Sequence, residues 1–358
     1  MMREPRREEI ETLTRTIFGA KCRLLAWHPV SGQTRDLVIF ATLVFPARVV
    51  VIKLAGAESA RPPLAREAAI QRRVARETSV PVCDVLAVDD SCQQFPWRYL
   101  ITAHTPGMEW RDGLARMAPS ARYAIFRQLG RAVAELHSLR YAAFGEIEKG
   151  ATDPLPPALS PKREGEPEPE RAEWPSGARV AQSLPASGRV AEGRVGAGDY
   201  LTALAARARR RIANLAHADL FAAVLEAHAS DFASITEPRL THEDLNPSNL
   251  LLVPGEDGND DWRIAAILDF ESAWAGCPES DIARLELWRD MMGDGFYEGY
   301  TAQQPISDGY QARRAVYQLL WCLEYARPTP EHHADTARVC AALGIPPMTF
   351  APSTEPGG

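Results

Sequence analysis

Thr241 to Leu252 reads THEDLNPSNLLL, and Ile264 to Trp274 reads IAAILDFESAW. Together they place His242, Asp244, Asn249, Asp269 and Glu271 within thirty residues, on loops that abut apolar, strand-like runs. A carboxylate, an amide and a further carboxylate supply the hard oxygen donors that Mg²⁺ prefers, with substrate phosphates completing its shell. Such a set points to phosphoryl transfer. Asp244 is the candidate to accept the proton of an attacking hydroxyl, while Asn249 and Asp269 are the candidate metal ligands. His242, two residues before Asp244, belongs to the catalytic group chiefly as the residue that holds the loop through its ring nitrogens. Glu271 has two open readings, an approach to a second metal or closure of the loop.

Working back toward the N-terminus, Lys53 sits in the apolar strand VVIKL, where an ammonium is costly to bury unless it meets anions. Nucleotide phosphates would provide them, and Glu67, early in the next helix, is placed to pair with the ammonium and aim it. Ser31 and Gly32, in the turn HPVSGQTR, offer backbone N–H groups and a hydroxyl to phosphates, although the turn lacks GxGxxG and GxxxxGK[ST]. Pro106 and Gly107 stop the strand that ends at Ala103 and mark a hinge.

The order VVIKL with Lys53, REAAIQRRVA with Glu67, HEDLNPSN from His242 to Asn249 and ILDFESAWAGCPESDIARL from Ile267 to Leu285 resembles the aminoglycoside phosphotransferase family, a branch of the protein-kinase-like fold. The resemblance implies an α+β bilobal architecture, with an antiparallel sheet and a helix in an N-terminal lobe and a larger, mainly helical C-terminal lobe. It further implies ATP or GTP between the lobes, its base against the backbone near Thr102 and His104, and Asp281 steadying the catalytic loop. Glu243 stands where the family often has glycine, and Asn246 where it often has histidine. Glu243 is read either as crowding the loop or as reaching a substrate cation.

The expected division is 1–103 for the nucleotide-binding lobe and 104–350 for the catalytic and substrate lobe. Helices are expected over Arg6–Ile17, Leu64–Glu77, Tyr123–Leu139, Tyr200–Asp231 with a break at His217–Asp219, Glu279–Met292, Gly309–Tyr325 and Pro330–Leu343. Strands are expected over Cys22–Trp27, Asp36–Phe45, Arg48–Leu54, Val80–Val88 and Arg98–Ala103. Residues 151–197 carry eight prolines between Pro154 and Pro185, with few large apolar side chains to offset ordering entropy, and read as a flexible insertion or a lid.

Composition narrows the function classes. With 46% hydrophobic and 24% charged residues the chain reads as a globular enzyme, and a formal charge of −7 without a basic tract gives nucleic acid no footprint. No run reaches the length of a membrane span and no h-region follows the charged N-terminus, so no membrane and a cytoplasmic location are the expectations. Six scattered cysteines without a CxxC pair suggest neither a disulfide scaffold nor a thiolate zinc site. The acceptor is expected to be a small hydroxylated molecule. An aminoglycoside or other antibiotic, a sugar, and a choline-like alcohol are the alternatives, and Glu286, Asp290, Asp294, Glu298 and Glu324 are candidates to line an acidic site for a cationic one. A catalytically silent kinase-fold binding protein and a metal-dependent hydrolase are the competing classes. Monomer and homodimer both stand open.

Overall fold

Alternating burial along the first strands sets the architecture. In a computed structural model that describes residues 4–30, 36–59, 61–147, 197–255, 261–348 and 350, the chain opens with α1 (Arg7–Phe18) and then β1 (Arg23–Pro29), β2 (Leu37–Val44) and β3 (Arg48–Gly56). Glu9 reaches back to accept from the Arg6 backbone N–H at 2.7 Å, satisfying a donor that the first turn of α1 leaves unpaired. After α2 (Leu64–Glu77) come β4 (Val85–Asp89) and β5 (Trp97–Ala103), and the five strands form one antiparallel sheet in the order β1-β2-β3-β5-β4.

Side chains alternate across a strand, so β3 sends Val50, Ile52 and Leu54 to one face, where they pack with Ile10 and Leu13 of α1. Burying each such side chain contributes about 1.5–3 kcal/mol. Ala55 meets Leu64 and Ala68 of α2 on the opposite face. Lys53 shares that second face, which aims its ammonium toward α2.

The rest of the described chain is mostly helical. A short β6 (Met108–Glu109) leads into α3 (Trp110–Arg116) and α4 (Pro119–Leu136); α5 (Ala197–Arg211) and α6 (Leu215–Ala227) follow. Three strands, β7 (Arg239–Thr241), β8 (Leu250–Val253) and β9 (Arg263–Ile267), precede β10 (Trp274–Gly276), and α7 (Glu279–Leu285), α8 (Asp294–Thr301), α9 (Tyr310–Glu324) and α10 (Pro330–Ala342) complete the order. One large core joins these helices around Leu129, Phe221, Phe270, Trp274, Phe296 and Tyr317. No helix among the described residues is long and apolar enough to cross a membrane.

Three expectations are corrected. The break in the long helix falls at residues 212–214, not at His217–Asp219, because Asn214 caps α6 by accepting from the His217 backbone N–H at 3.1 Å. The helix expected over Glu279–Met292 ends at Leu285, and the strand expected over Val80–Val88 starts only at Val85. A separate helix, α8, was not expected at all. The 151–197 insertion lies, up to residue 196, outside the described residues.

Helix α8 lies against α4 at backbone distance. A Cβ at Gly299 would overlap the carbonyl of Arg127, and one at Gly130 would overlap the carbonyl of Phe296. Glycine is required at both positions for this approach rather than for a turn. Gly299→Ala is therefore expected to destabilise the protein by about 1–3 kcal/mol through overpacking, measured by urea unfolding; unchanged stability would mean that α8 slides without cost.

Candidate active site

Antiparallel pairing delivers the loop motifs to one place. Leu250 of β8 pairs with Ile267 of β9, so Asn249 and Leu268 emerge side by side, and the Leu268 N–H donates to the Asn249 carbonyl at 2.9 Å. Thr241 of β7 pairs with Trp274 of β10, which draws His242 alongside the turn that carries Glu271.

Asp281 anchors the loop. Its two oxygens accept from the backbone N–H groups of His242 at 2.7 Å and Glu243 at 2.8 Å, and His137 approaches Oδ2 at 3.1 Å. Burial works to raise the Asp281 pKa, but the hydrogen bond from His137 and the neighbouring histidines outweigh it and hold the carboxyl below its ordinary value. His137, at the end of α4, also meets the Tyr300 hydroxyl at 2.9 Å. The glycine-lined contact of α4 with α8 thus carries through to the loop.

His242 has no free lone pair. Its Nε2 lies 2.9 Å from the Leu268 carbonyl, which can only accept, so Nε2 bears the proton. Its Nδ1 accepts the Asp244 N–H at 3.2 Å. Both nitrogens hold backbone, which fits a loop-positioning residue.

Asp244 is gripped on one side and open on the other. Oδ1 accepts from Arg284 Nη2 at 2.7 Å and from the Tyr325 hydroxyl at 3.3 Å, while Oδ2 accepts from Asn249 Nδ2 at 3.2 Å. The side chain keeps 20% exposure. Because the Asn249 amide nitrogen also donates to the Asp244 carbonyl at 2.9 Å, its oxygen is turned away and accepts from no described residue. That oxygen is available to a cation.

Lys53 forms the second half of the site. Its ammonium, 13% exposed, contacts Glu67 at 2.9 Å, Asp269 at 3.1 Å and Glu271 at 3.1 Å. Burial alone would lower its pKa, yet the three carboxylates win and hold it well above its ordinary value. Burial pushes Glu67 up to about 7, against the pull of Lys53. Asp269 goes the other way: desolvation opposes ionisation, but Lys53 dominates and keeps it below its usual value. Asp269 adopts left-handed backbone at φ 60°, a conformation worth about 1–3 kcal/mol of strain in a non-glycine residue. Glu271 turns to the sheet side, accepting from Arg61 Nη1 at 2.6 Å as well as from Lys53. Of its two readings, loop closure is the one its partners match.

Oxygen donors fit a hard divalent cation here. One carboxylate oxygen from each of Glu67, Asp269 and Glu271 lies within 4.8 Å of the others, and the backbone carbonyl of Asn249 is bonded to Leu268, the residue before Asp269. Lys53 engages one oxygen of each of these three carboxylates and Arg61 the same oxygen of Glu271, so Asp269 keeps its second oxygen and Asn249 its side-chain oxygen as candidate donors.

At the end of β5, Thr102 pairs with Val51, while the His104 N–H donates to the Val49 carbonyl at 3.2 Å and its ring packs on Phe40. The His104 N–H is therefore occupied and not free for a base. Ser31 and Gly32 lie outside the described residues.

Several residues of the site were not anticipated. Arg284 lies one helical turn beyond Asp281 in α7, a spacing that already puts both on one face. Glu243 has its backbone at φ 64° and is fully buried, accepting from Thr241 Oγ1 at 2.7 Å, Trp274 Nε1 at 2.8 Å and Ser280 Oγ at 3.3 Å. Arg207 of α5 lies 3.7 Å from it and also approaches Glu146 at 3.6 Å, which in turn pairs with Arg66 of α2 at 2.6 Å. Glu243 consequently faces the interior and not a substrate. The expected acidic lining does not assemble either. Glu286, Asp290, Glu298 and Glu324 are paired with Arg314, Arg111, Arg127 and Arg211 respectively, and Asp294 starts α8.

Known proteins agree with this architecture. The chain resembles a protein from Ralstonia eutropha JMP134 provisionally assigned as an aminoglycoside phosphotransferase, with 15% identity over 94% of this chain and 95% of that one and a TM-score of 0.58. It also resembles a thermostable mutant of the aminoglycoside phosphotransferase APH(4)-Ia in ternary complex with AMP-PNP and hygromycin B, at 15% identity, 94% and 97% coverage and a TM-score of 0.56. A third likeness, to the GDP complex of a mutant aminoglycoside 2'-phosphotransferase, has 15% identity, 95% and 96% coverage and a TM-score of 0.52. These likenesses establish a kinase-like fold. Among curated proteins the sequence has no match. The profile of the phosphotransferase enzyme family matches residues 28–316, most of the chain and every motif around Lys53, Asp244 and Asp269, so the protein belongs to that family and is a phosphotransferase acting on hydroxyl groups.

Proposed function

We propose that this protein is a nucleotide-dependent small-molecule kinase that transfers the γ-phosphoryl group of ATP or GTP to an acceptor hydroxyl. The observation that carries the reading is the bond from Lys53 to Asp269 across 216 residues, which joins the sheet to the loop system that holds Asp244. The sheet-bearing part up to Ala103 and the helical part beyond it serve as the two lobes, with nucleotide between them. AMP-PNP and GDP in the structures of similar proteins support a nucleotide donor.

Lys53, steered by Glu67, binds phosphate oxygens and neutralises part of their charge. Asn249 and Asp269 would hold Mg²⁺, which supplies charge neutralisation on the phosphates when bound. Asp244 receives the acceptor hydroxyl, orients its lone pair toward phosphorus and takes its proton as the bond forms. Arg284, Tyr325 and Asn249 keep the carboxylate in place throughout. His242 holds the backbone.

The test is a panel of hydroxylated compounds, including aminoglycosides, sugars and amino alcohols, incubated with Mg²⁺ and either nucleotide. Phosphorylated acceptor and nucleoside diphosphate should appear in equal amounts. Diphosphate release that is independent of every acceptor would point to hydrolysis instead.

A further inference from the structure

A cavity of about 500 Å³ opens beside the catalytic loop, and two of its wall residues, Arg284 and Tyr325, are the residues bonded to Asp244. It adjoins the two side chains that hold the Asp244 Oδ1, which puts it within one side chain of the carboxylate. The wall is built by α7, the segment after it, α9 and α10, with Leu287, Trp288, Trp321 and Cys322 providing apolar surface.

Two devices recognise a cationic acceptor: free carboxylates and open aromatic faces. The three aromatic faces, and every wall carboxylate but Glu331, are already taken here by the protein's own guanidinium groups. Among the wall carboxylates, Asp290 is paired with Arg111, and Asp335 is paired with Arg338 at 2.7 Å and with Arg289 at 3.6 Å. The third, Glu331, lies in the first turn of α10, where the positive end of the helix dipole favours it. On the aromatic side, the Arg284 guanidinium lies 4.0 Å from the Trp321 centroid and 4.5 Å from that of Tyr325, and Arg111 lies 5.7 Å from that of Trp288. An amino sugar or quaternary amine would have to displace an arginine from Asp290, from Asp335 and from each of the three rings.

Two wall charges are left without an ion pair among the described residues, Glu331 and Arg327, and of these Glu331 is offset by the helix N-terminus on which it sits whereas Arg327 is not. Arg327 lines the cavity, is exposed, and forms no ion pair with a carboxylate among the described residues. Its neighbour His332 contributes no competing anion, and its Nε2 is engaged with the Cys322 carbonyl at 2.9 Å. A guanidinium at the mouth of an apolar, aromatic-walled cavity recognises a planar anion through paired N–H donors.

We propose that the acceptor is a hydroxylated molecule with a carboxylate on an apolar or ring-shaped body, and that Arg327 takes the carboxylate while the hydroxyl meets Asp244. The assignment rests on the kinase reading for the identity of the cavity. It names Arg327 as a specificity-determining residue and ranks acids above amines as acceptors.

The test uses two matched sets: glucuronate, glucose and glucosamine; and phenyllactate, phenyllactamide and phenylalaninol. Binding to the intact chain is read by calorimetry with AMP-PNP and Mg²⁺ present, and transfer is read separately with ATP and GTP. In at least one set the acid should bind about tenfold more tightly than its neutral counterpart, with the amine weakest. Arg327→Gln should bring the ratio of acid to neutral binding close to one, with the thermal midpoint unchanged. Tightest binding by the amines, saturable binding by neither acid, or an acid preference that survives Arg327→Gln would overturn the assignment. Acid-selective binding without transfer to any compound would leave the site assignment standing and sink the kinase reading instead.

Discussion

Asp244→Ala is expected to lower kcat/KM for phosphoryl transfer by about 10²- to 10⁴-fold, the usual worth of a positioned general base, while nucleotide affinity is retained. The two effects separate because the carboxylate makes no contact with the Lys53 cluster: its partners are Arg284, Tyr325, Asn246 and Asn249. Removing it also strands the Arg284 side chain, which is 4% exposed and has no other carboxylate partner among the described residues. Part of any loss in Asp244→Ala therefore reflects a shifted arginine. Asp244→Asn separates the contributions, since its amide oxygen still accepts from Arg284 but has almost no basicity. Initial rates, nucleotide titration and a thermal melt on both variants make the comparison. Wild-type turnover in Asp244→Asn would show that the aspartate is not the proton acceptor; weakened nucleotide binding in both would move Asp244 into the phosphate site.

The structure brings together the loop residues that the local sequence singled out, because they lie at the ends of paired strands. Polar residues interrupt apolar runs at HEDLNPSN and DFES, and strand pairing between Leu250 and Ile267 brings the halves together. Lys53 and Glu67 were legible for a similar reason, since strand and helix follow each other and the two-residue period of β3 decides which way the ammonium points. The same rules misread α8. No element was expected over residues 294–301; Gly293, Gly295 and Gly299 serve contact with α4, and contact partners are not written locally. The acidic residues 286–324 failed on the same ground. Their charges read as a field only until the arginines that neutralise them, from Arg111 to Arg314, are placed in space.

Glu243→Gly tests the least expected residue of the site, and two opposing effects set its sign. Glycine suits a backbone at φ 64°, and relief of left-handed strain is worth about 1–2 kcal/mol. Against this, the change removes the acceptor for Thr241, Trp274 and Ser280, and each buried donor left unpaired costs about 1–3 kcal/mol. It also leaves Arg207, 1% exposed, with only Glu146 as a carboxylate neighbour among the described residues; breaking a buried ion pair costs about 3–5 kcal/mol. The losses exceed the gain, so Glu243→Gly is expected to destabilise the protein by several kcal/mol in urea unfolding. Glu243→Gln should fall between the two, because its amide oxygen preserves the Trp274 bond and only the charge is lost. Arg207→Leu combined with Glu243→Gly should recover part of the deficit, since it removes the stranded cation, and a double-mutant cycle reads the coupling directly. Greater stability in Glu243→Gly than in the wild type would mean that the interior ion pair is a burden the loop carries. The predicted loss would instead make the Arg66–Glu146–Arg207–Glu243 chain the tie between α2, which aims Lys53 through Glu67, and the loop that presents Asp244.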